Sequence, residues 1–227
     1  MDNKLSIIAP IYNEETLISV SLPEIFDLAI NKEVIIIDDG SSDKTPKILR
    51  ELKNKYEFTL ITQTKNKGKG AAVRRGLEEA KGDYFIICDA DLEYDPRDIV
   101  FLFSKTKDLP NKTAIYGSRF KGRFNFSFHY LVNLFLTLLT NLLFRCRLTD
   151  METCFKLIPS NALEKIKLNG QRFEIEPEIT AQLLKKGYRI IEFPISYKRR
   201  GYIDGKKISA KDGLLALKTL FLERIKN

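Results

Sequence analysis

An α/β fold, with a mostly parallel central sheet and helices on both faces, is the fold class that the sequence predicts. Three observations carry it. Short runs rich in β-branched residues alternate with amphipathic stretches through the first half of the chain. Their spacing is that of βαβ units, which makes neighbouring strands parallel. Several runs end in loops dense in Asp, Asn, Ser and Gly, and in such sheets ligands bind beyond the carboxyl ends of the strands.

The elements follow in order. Residues 5–9 (LSIIA), 34–37 (VIII), 59–62 (TLIT) and 84–88 (YFIIC) read as buried strands. Between them, residues 16–29, 45–56 and 71–80 have the apolar spacing of helices. The second half reads differently. A strand at 114–117 precedes a stretch, 124–144, without Lys, Arg, Asp or Glu. Segment 153–158, a helix opening at Pro177, a strand at 189–195 and a basic C-terminal helix complete the chain. No repeat, Gly/Ser linker or low-complexity run interrupts it, so one continuous domain over 1–227 is expected.

Composition bounds the possibilities. At 227 residues and 44% hydrophobic, the chain can bury a full core without disulfides or metals, and disorder is excluded. Cysteines 88, 146 and 154 show no CxxC spacing and cannot all pair, which favours a reducing compartment. The opening MDNKLSIIAP meets Asp and then Pro within ten residues, so neither secretory signal nor transit peptide is expected. Lys and Arg number 38 against 30 Asp and Glu, a net +8 with a pI of about 9.2. Such an excess calls for an anionic partner, and charge alone leaves nucleic acid, lipid headgroup and phosphorylated substrate open.

Asp89-Ala90-Asp91 is the sharpest motif. It follows a strand directly, so its carboxylates emerge at the sheet rim. Two hard donors around a small residue, with Glu93 two further on, suit Mg2+ or Mn2+ that also binds a diphosphate. Capping the next helix is the structural alternative, for which Asp95 before Pro96 is better placed. Asp39, in DDGSSD, can accept from a nucleobase or ribose while Gly40 permits the turn, or the whole can be a structural turn. In PIYNE (Pro10 to Glu14), Tyr12 and Glu14 can touch a base or cap a helix. NKGKG at 66–70 opens a helix and is either an anion cradle with Lys69 or an ordinary basic loop. It lacks the third glycine of a dinucleotide fingerprint and the GK[ST] of a P-loop. Arg119 follows the fifth strand, where it suits a phosphate or simply the surface. Asp150 can act as a base, orient an acceptor or cap a loop.

Two stretches bear on membranes. Residues 124–144 have 14 of 21 positions apolar, but His129, Asn133, Thr137, Thr140 and Asn141 form a polar stripe at helical spacing. A buried helix, a membrane-face helix and a true span all remain open, as does a structural role for His129. From 195 to 227 there are nine Lys or Arg against three Asp or Glu, so net +6 of the +8 lies there. Arg199-Arg200 and Lys206-Lys207 bracket a loop that can close over an anion. The helix after it shows Ser209-x-x-Asp212 as a capping box and Leu214, Leu217, Phe221 and Ile225 as an apolar face. A basic amphipathic helix suits an anionic membrane surface or, more plainly, solvent.

In this order and spacing the motifs resemble the family 2 inverting glycosyltransferases, in particular the dolichyl-phosphate mannose synthase and polyprenyl-phosphate glycosyltransferase group. They are PIYNEE (10–15), IDDGSSDKT (37–45), NKGKGAAVRRGLEEAKGDY (66–84), DADLE (89–93), YGSRF (116–120), LTDMETCFK (148–156), FEIEPEI (173–179) and GKKISAKDG (205–213). The resemblance implies a GT-A type nucleotide-sugar-binding fold. A nucleotide-sugar-binding half would span about 1–120 and an acceptor-binding half about 121–227. It implies that Pro10, Tyr12, Glu14, Asp39, Lys69 and Ala90 line the nucleotide sugar, that Asp89 and Asp91 bind metal and diphosphate, and that Arg119, Arg200 and Lys207 face phosphates. Two departures stand out. Glu93 replaces the usual glutamine and adds charge to the metal site. His129 stands near an acceptor-phosphate arginine of some mannose synthases. The chain also lacks the C-terminal transmembrane helices of some relatives, so any membrane association is expected to be peripheral.

The expected reaction is metal-assisted, inverting transfer of a hexose from a nucleotide diphosphate sugar (GDP-mannose or UDP-glucose type) to a polyprenyl phosphate at the cytoplasmic membrane face. A phosphate monoester with its second pKa near ~6 is largely dianionic and needs no strong base. Transfer to a glycan hydroxyl, with Asp150 as base, is the alternative. No nucleic-acid motif is present and the charge is clustered, so a nucleic-acid-binding role is not expected. A sugar-nucleotide pyrophosphorylase would need a glycine-rich loop after the first strand, which is missing.

Overall fold

A computed structural model describes residues 3–122, 128–198 and 210–226. Strands β1 (Leu5–Ile11), β2 (Lys32–Asp38), β3 (Thr59–Thr62) and β4 (Tyr84–Ile87) form where the β-branched runs lie. Helices α1 (Ile18–Phe26), α2 (Thr45–Lys53) and α3 (Lys69–Leu77) connect them. Then come α4 (Arg97–Ser104), β5 (Thr113–Ser118), α5 (Phe128–Phe144), β6 (Lys156–Pro159), α6 (Ile175–Lys185), β7 (Arg189–Pro194) and α7 (Ala210–Ile225).

The strands form a seven-stranded sheet in the order β3-β2-β1-β4-β6-β5-β7. β1 pairs in parallel with β2 and β4, and β2 with β3. β6 is antiparallel to both β4 and β5, and β5 is parallel to β7. Six described strands therefore share one direction and β6 opposes them. Consecutive residues of β1, β2 and β4 are buried, which requires cover on both faces of the sheet. On one face Gly76 of α3 lies against Ile8 and Ile37, leaving no room for a side chain.

This direction rule positions the site. The carboxyl ends of β1, β2, β4 and β5 lie on one rim, and the amino end of the reversed β6 reaches the same rim. Loops 12–15, 39–44, 89–95 and 119–122, together with segment 148–155, are thereby gathered at one edge.

α5 and α7 pack together through Leu136, Leu148, Met151, Ala216 and Leu220, a cluster separate from the main core. α5 turns part of its polar stripe inward. Thr137 and Thr140 are buried, and Thr137 Oγ1 accepts from Met151 N (3.1 Å). Asn141 closes the next turn, accepting from Leu148 N (2.7 Å) and donating to Leu148 O (2.9 Å). Leu131, Phe135, Leu138 and Leu142, at helical spacing, are instead 53–78% exposed. Thr137, Thr140 and Asn141 of the stripe thus face the protein, and an apolar stripe looks outward. No described helix is long and apolar enough to cross a membrane.

Candidate active site

The loops after β1 and β2 are stitched into one wall. Asn13 N donates to Ser41 Oγ (3.0 Å), and Asn13 Oδ1 accepts from Ser42 N (2.8 Å). Glu14 N donates to Thr45 Oγ1 (2.9 Å), and Glu15 Oε2 accepts from Lys44 N (2.8 Å). Tyr12 and Glu14 are half-buried in this wall, and the Glu14 carbonyl accepts from Leu17 N and Ile18 N at the start of α1. Pro10 pairs with Ile37 inside the sheet.

Asp39 is buried and latches a third loop. Its Oδ1 accepts from Gln63 Nε2 (2.9 Å) and Lys67 N (2.8 Å), and its Oδ2 from Gly68 N (2.7 Å). Burial pushes its carboxyl up, against the pull of those amides. The expected contact of Asp39 with a base or ribose thus meets a carboxylate already holding backbone. The glycine loop needs its glycine: Gly68 has φ +95°, and a Cβ there would run into Gln171 O. Its amides at Lys67 and Gly68 bind Asp39, so the expected anion cradle is filled from inside the protein.

Lys69 is likewise engaged. Its ammonium lies 2.7 Å from Asp89 Oδ2 and 3.1 Å from Glu176 Oε1. Burial disfavours its charge, but Asp89 and Glu176 outweigh that and hold the lysine well above its ordinary value. Glu176 Oε2 meets the fully buried Lys156 at 2.6 Å, and Lys156 also donates to Thr153 O (2.6 Å). An ionic chain, Asp89–Lys69–Glu176–Lys156, thus ties the ends of β4, α3, β6 and α6 together. Asp89 reaches the rim as expected, but Lys69 is a partner of carboxylates.

A metal fits part of the expected set. Among the described residues no group of three or more His, Cys, Asp or Glu side chains converges as a metal site. Glu93 Oε2 accepts from Tyr197 Oη (2.9 Å), and Asp91 Oδ1 from Glu93 N (3.0 Å). Among the described residues Asp89, Asp91 and Glu93 do not converge as a three-carboxylate site, and Asp89 and Asp91 form the acidic rim. That rim still suits Mg2+ or Mn2+, because Mg2+ typically takes one or two carboxylates plus substrate phosphates. Asp89 keeps Oδ1 clear of the Lys69 contact. Ala90, between the two acids, is buried, with its carbonyl accepting from Ser21 Oγ (2.9 Å).

Arg119 and Asp150, expected to act separately, form a buried bidentate pair. Arg119 Nε donates to Asp150 Oδ2 (2.8 Å) and Nη2 to Oδ1 (2.7 Å), while Arg119 N also donates to Oδ2 (2.9 Å). The guanidinium lies 5.0–6.0 Å from the rings of Phe120, Tyr197 and Tyr94. Asp150 is fully buried. It anchors Arg119 through both of its carboxylate oxygens. Glu192 of β7 fixes the same turn, accepting from Asp150 N (2.9 Å) and Thr149 N (2.7 Å).

Sequence reasoning missed Glu176, Lys156, Glu192 and Glu152. A lysine inside the apolar run CFKLIP was the available signal, because a charge there needs a buried partner. Arg200 and Lys207 lie outside the described residues, as does the side chain of His129.

The family model described as Glycosyl transferase family 2 matches residues 6–167. An uncharacterized protein of Methanocaldococcus jannaschii is 32% identical over 95% of this chain and 99% of its own. A dolichol-phosphate mannosyltransferase of Pyrococcus furiosus is 31% identical over 89% of this chain, which spans 59% of that relative. A human dolichyl-phosphate beta-glucosyltransferase is 30% identical over 90% of this chain and 69% of its own. Among solved structures, glucosyl-3-phosphoglycerate synthase of Mycobacterium tuberculosis with uridine-diphosphate superposes with a TM-score of 0.76 at 16% identity, over 98% of this chain and 80% of that one. The same enzyme has been solved with Mn2+, uridine-diphosphate and phosphoglyceric acid.

Proposed function

This chain belongs to glycosyl transferase family 2 and is a glycosyltransferase of GT-A type fold, and we propose that it transfers a hexose from a nucleotide diphosphate sugar to a polyprenyl phosphate, with inversion, at the cytoplasmic face of a membrane. The observation that carries this reading is the match, over about nine tenths of the chain, to two relatives named for dolichyl-phosphate glycosyl transfer. We take 1–227 as a single domain.

The wall of Pro10, Tyr12, Glu14 and the Asp39 loop receives the nucleoside. Asp91 and Asp89 would hold Mg2+ or Mn2+, which supplies charge neutralisation for a departing nucleoside diphosphate. Lys69 holds Asp89 in place through its 2.7 Å contact. Arg119, fixed by Asp150 and flanked by aromatic rings, presents positive charge to the acceptor phosphate, with Arg200, Lys207 and His129 as further acceptor contacts. A dianionic phosphate attacks without a base, which agrees with an Asp150 that is closed off. The outward apolar stripe of α5, with Leu214, Phe221, Leu222 and Ile225 of α7 at 44–76% exposure, supports lodging beside a lipid surface. Exposed Lys211, Lys218, Arg224 and Lys226 supply charge for anionic headgroups.

The product's anomeric configuration tests the chemistry. With α-linked UDP-glucose or GDP-mannose as donor, the lipid product is β-linked, chelation abolishes transfer, and Asp91→Ala lowers kcat at least ~100-fold. A retained configuration, or transfer indifferent to EDTA, contradicts the reading.

A further inference from the structure

Segment 148–155 joins the two ionic clusters of the rim. Its Asp150 holds Arg119, and its Cys154 Sγ lies 3.8 Å from Lys69 Nζ, beside Asp89. Glu152 stands midway between them and is half-buried. Its Oε1 is closed off from solvent and has no hydrogen-bond partner. The other buried acceptor of this cluster without a hydrogen bond, Glu176 Oε1, has the Lys69 ammonium 3.1 Å away. Among the described residues Glu152 has no such ion pair. Burial pushes its carboxyl up to about 7, with Lys156 and Arg119 pulling down and Glu176 and Asp150 pushing up.

An acceptor left unpaired in a buried place destabilises the free protein, and native structures keep such groups where a ligand or water completes them. The rim between Asp89 and Arg119 is where the proposed reaction brings the transferred sugar, whose hydroxyls are donors.

Resting on that reading of the site, the geometry points to Glu152 as the side chain that accepts a hydrogen bond from a hydroxyl of the transferred sugar. The contact is to the sugar alone, so it distinguishes a nucleotide sugar from a bare nucleoside diphosphate. It also makes Glu152 a determinant of which hexose is accepted, because a hydroxyl turned away leaves the carboxylate unpaired again. Gln can accept the same bond; Ala cannot.

Calorimetric titration of wild type, Glu152→Ala and Glu152→Gln with UDP, UDP-glucose, GDP and GDP-mannose, in Mg2+, tests this. For the base that binds, the bare diphosphate binds all three proteins equally. The sugar nucleotide binds the Ala variant roughly 10- to 100-fold more weakly, and Gln restores most of the loss. Thermal melts accompany each titration and show no loss of stability in either variant. A sugar nucleotide that binds the Ala variant as tightly as wild type overturns the inference, since water then serves the oxygen. Equal weakening of both ligands, with a lowered Tm, also overturns it and makes Glu152 structural. The expected binding pattern without any transfer to polyprenyl phosphate leaves the Glu152 contact standing and removes the proposed acceptor. Failure of wild type to bind any of the four removes both.

Discussion

Arg119 and Asp150 stand 31 positions apart in the chain, and each would be stranded without the other. Removing one partner of a buried pair leaves an uncompensated charge that costs roughly 3–5 kcal/mol. Asp150→Asn should therefore lower Tm by roughly 6–20 °C, measured by calorimetry; an unchanged Tm would show that the pair is not closed in solution. Glu152 gives the opposite sign. Its carboxyl is raised by burial to about 7, so the folded state binds the proton more tightly than the unfolded chain does. The associated stability is full below the ordinary carboxylate range and is lost as pH rises through about 7. Glu152→Gln should match wild type near pH 5 and exceed it above pH 8 by on the order of 2 kcal/mol, read from denaturant midpoints. At this scale the sequence was legible where chemistry is local. Asp89 and Asp91 follow a strand, and their arrival at the rim needed only that. Which cation faces which acid depends on long-range packing, so neither the pairing of Lys69 with Asp89 and Glu176 nor that of Arg119 with Asp150 was legible.

Helix α5 shows how an element can be legible in the sequence while its facing is not. The uncharged stretch forms a helix over Phe128–Phe144, as its spacing requires. Its Thr and Asn side chains turn inward because the segment entering β6 offers backbone groups that need partners. Leucines and a phenylalanine are left outside. Polar stripes ordinarily mark the wet side of a helix, and periodicity alone cannot reveal that the protein's own loop will claim them. The paired substitution Leu138→Glu with Leu142→Glu should leave Tm within about 2 °C, since both positions are exposed. It should weaken sedimentation with phosphatidylglycerol vesicles roughly tenfold or more. Unaltered vesicle binding would disconnect this stripe from lipid.

The whole molecule is ordered by strand direction. Alternating β and α elements announced the parallel half, and its strands formed within a few residues of the expected bounds. The reversed β6 was not legible, because an apolar run carries no direction. Yet that reversal brings Asp150, Glu152 and Cys154 to the edge where Asp39, Asp89 and Arg119 already lie. The charge has an address as well. Most of the net +8 falls after residue 195, and the described part of α7 sets exposed cations beside exposed apolar side chains. On the proposed function, donor wall, acidic rim, buried arginine and apolar helix pair would serve a single transaction, in which a sugar leaves a nucleotide and joins a lipid phosphate. Its most direct test is to incubate the protein with radiolabelled UDP-glucose or GDP-mannose, Mg2+ or Mn2+, and polyprenyl phosphate in vesicles, then extract with organic solvent. The account predicts label in the lipid phase that requires polyprenyl phosphate; label confined to the aqueous phase with every common donor would contradict it.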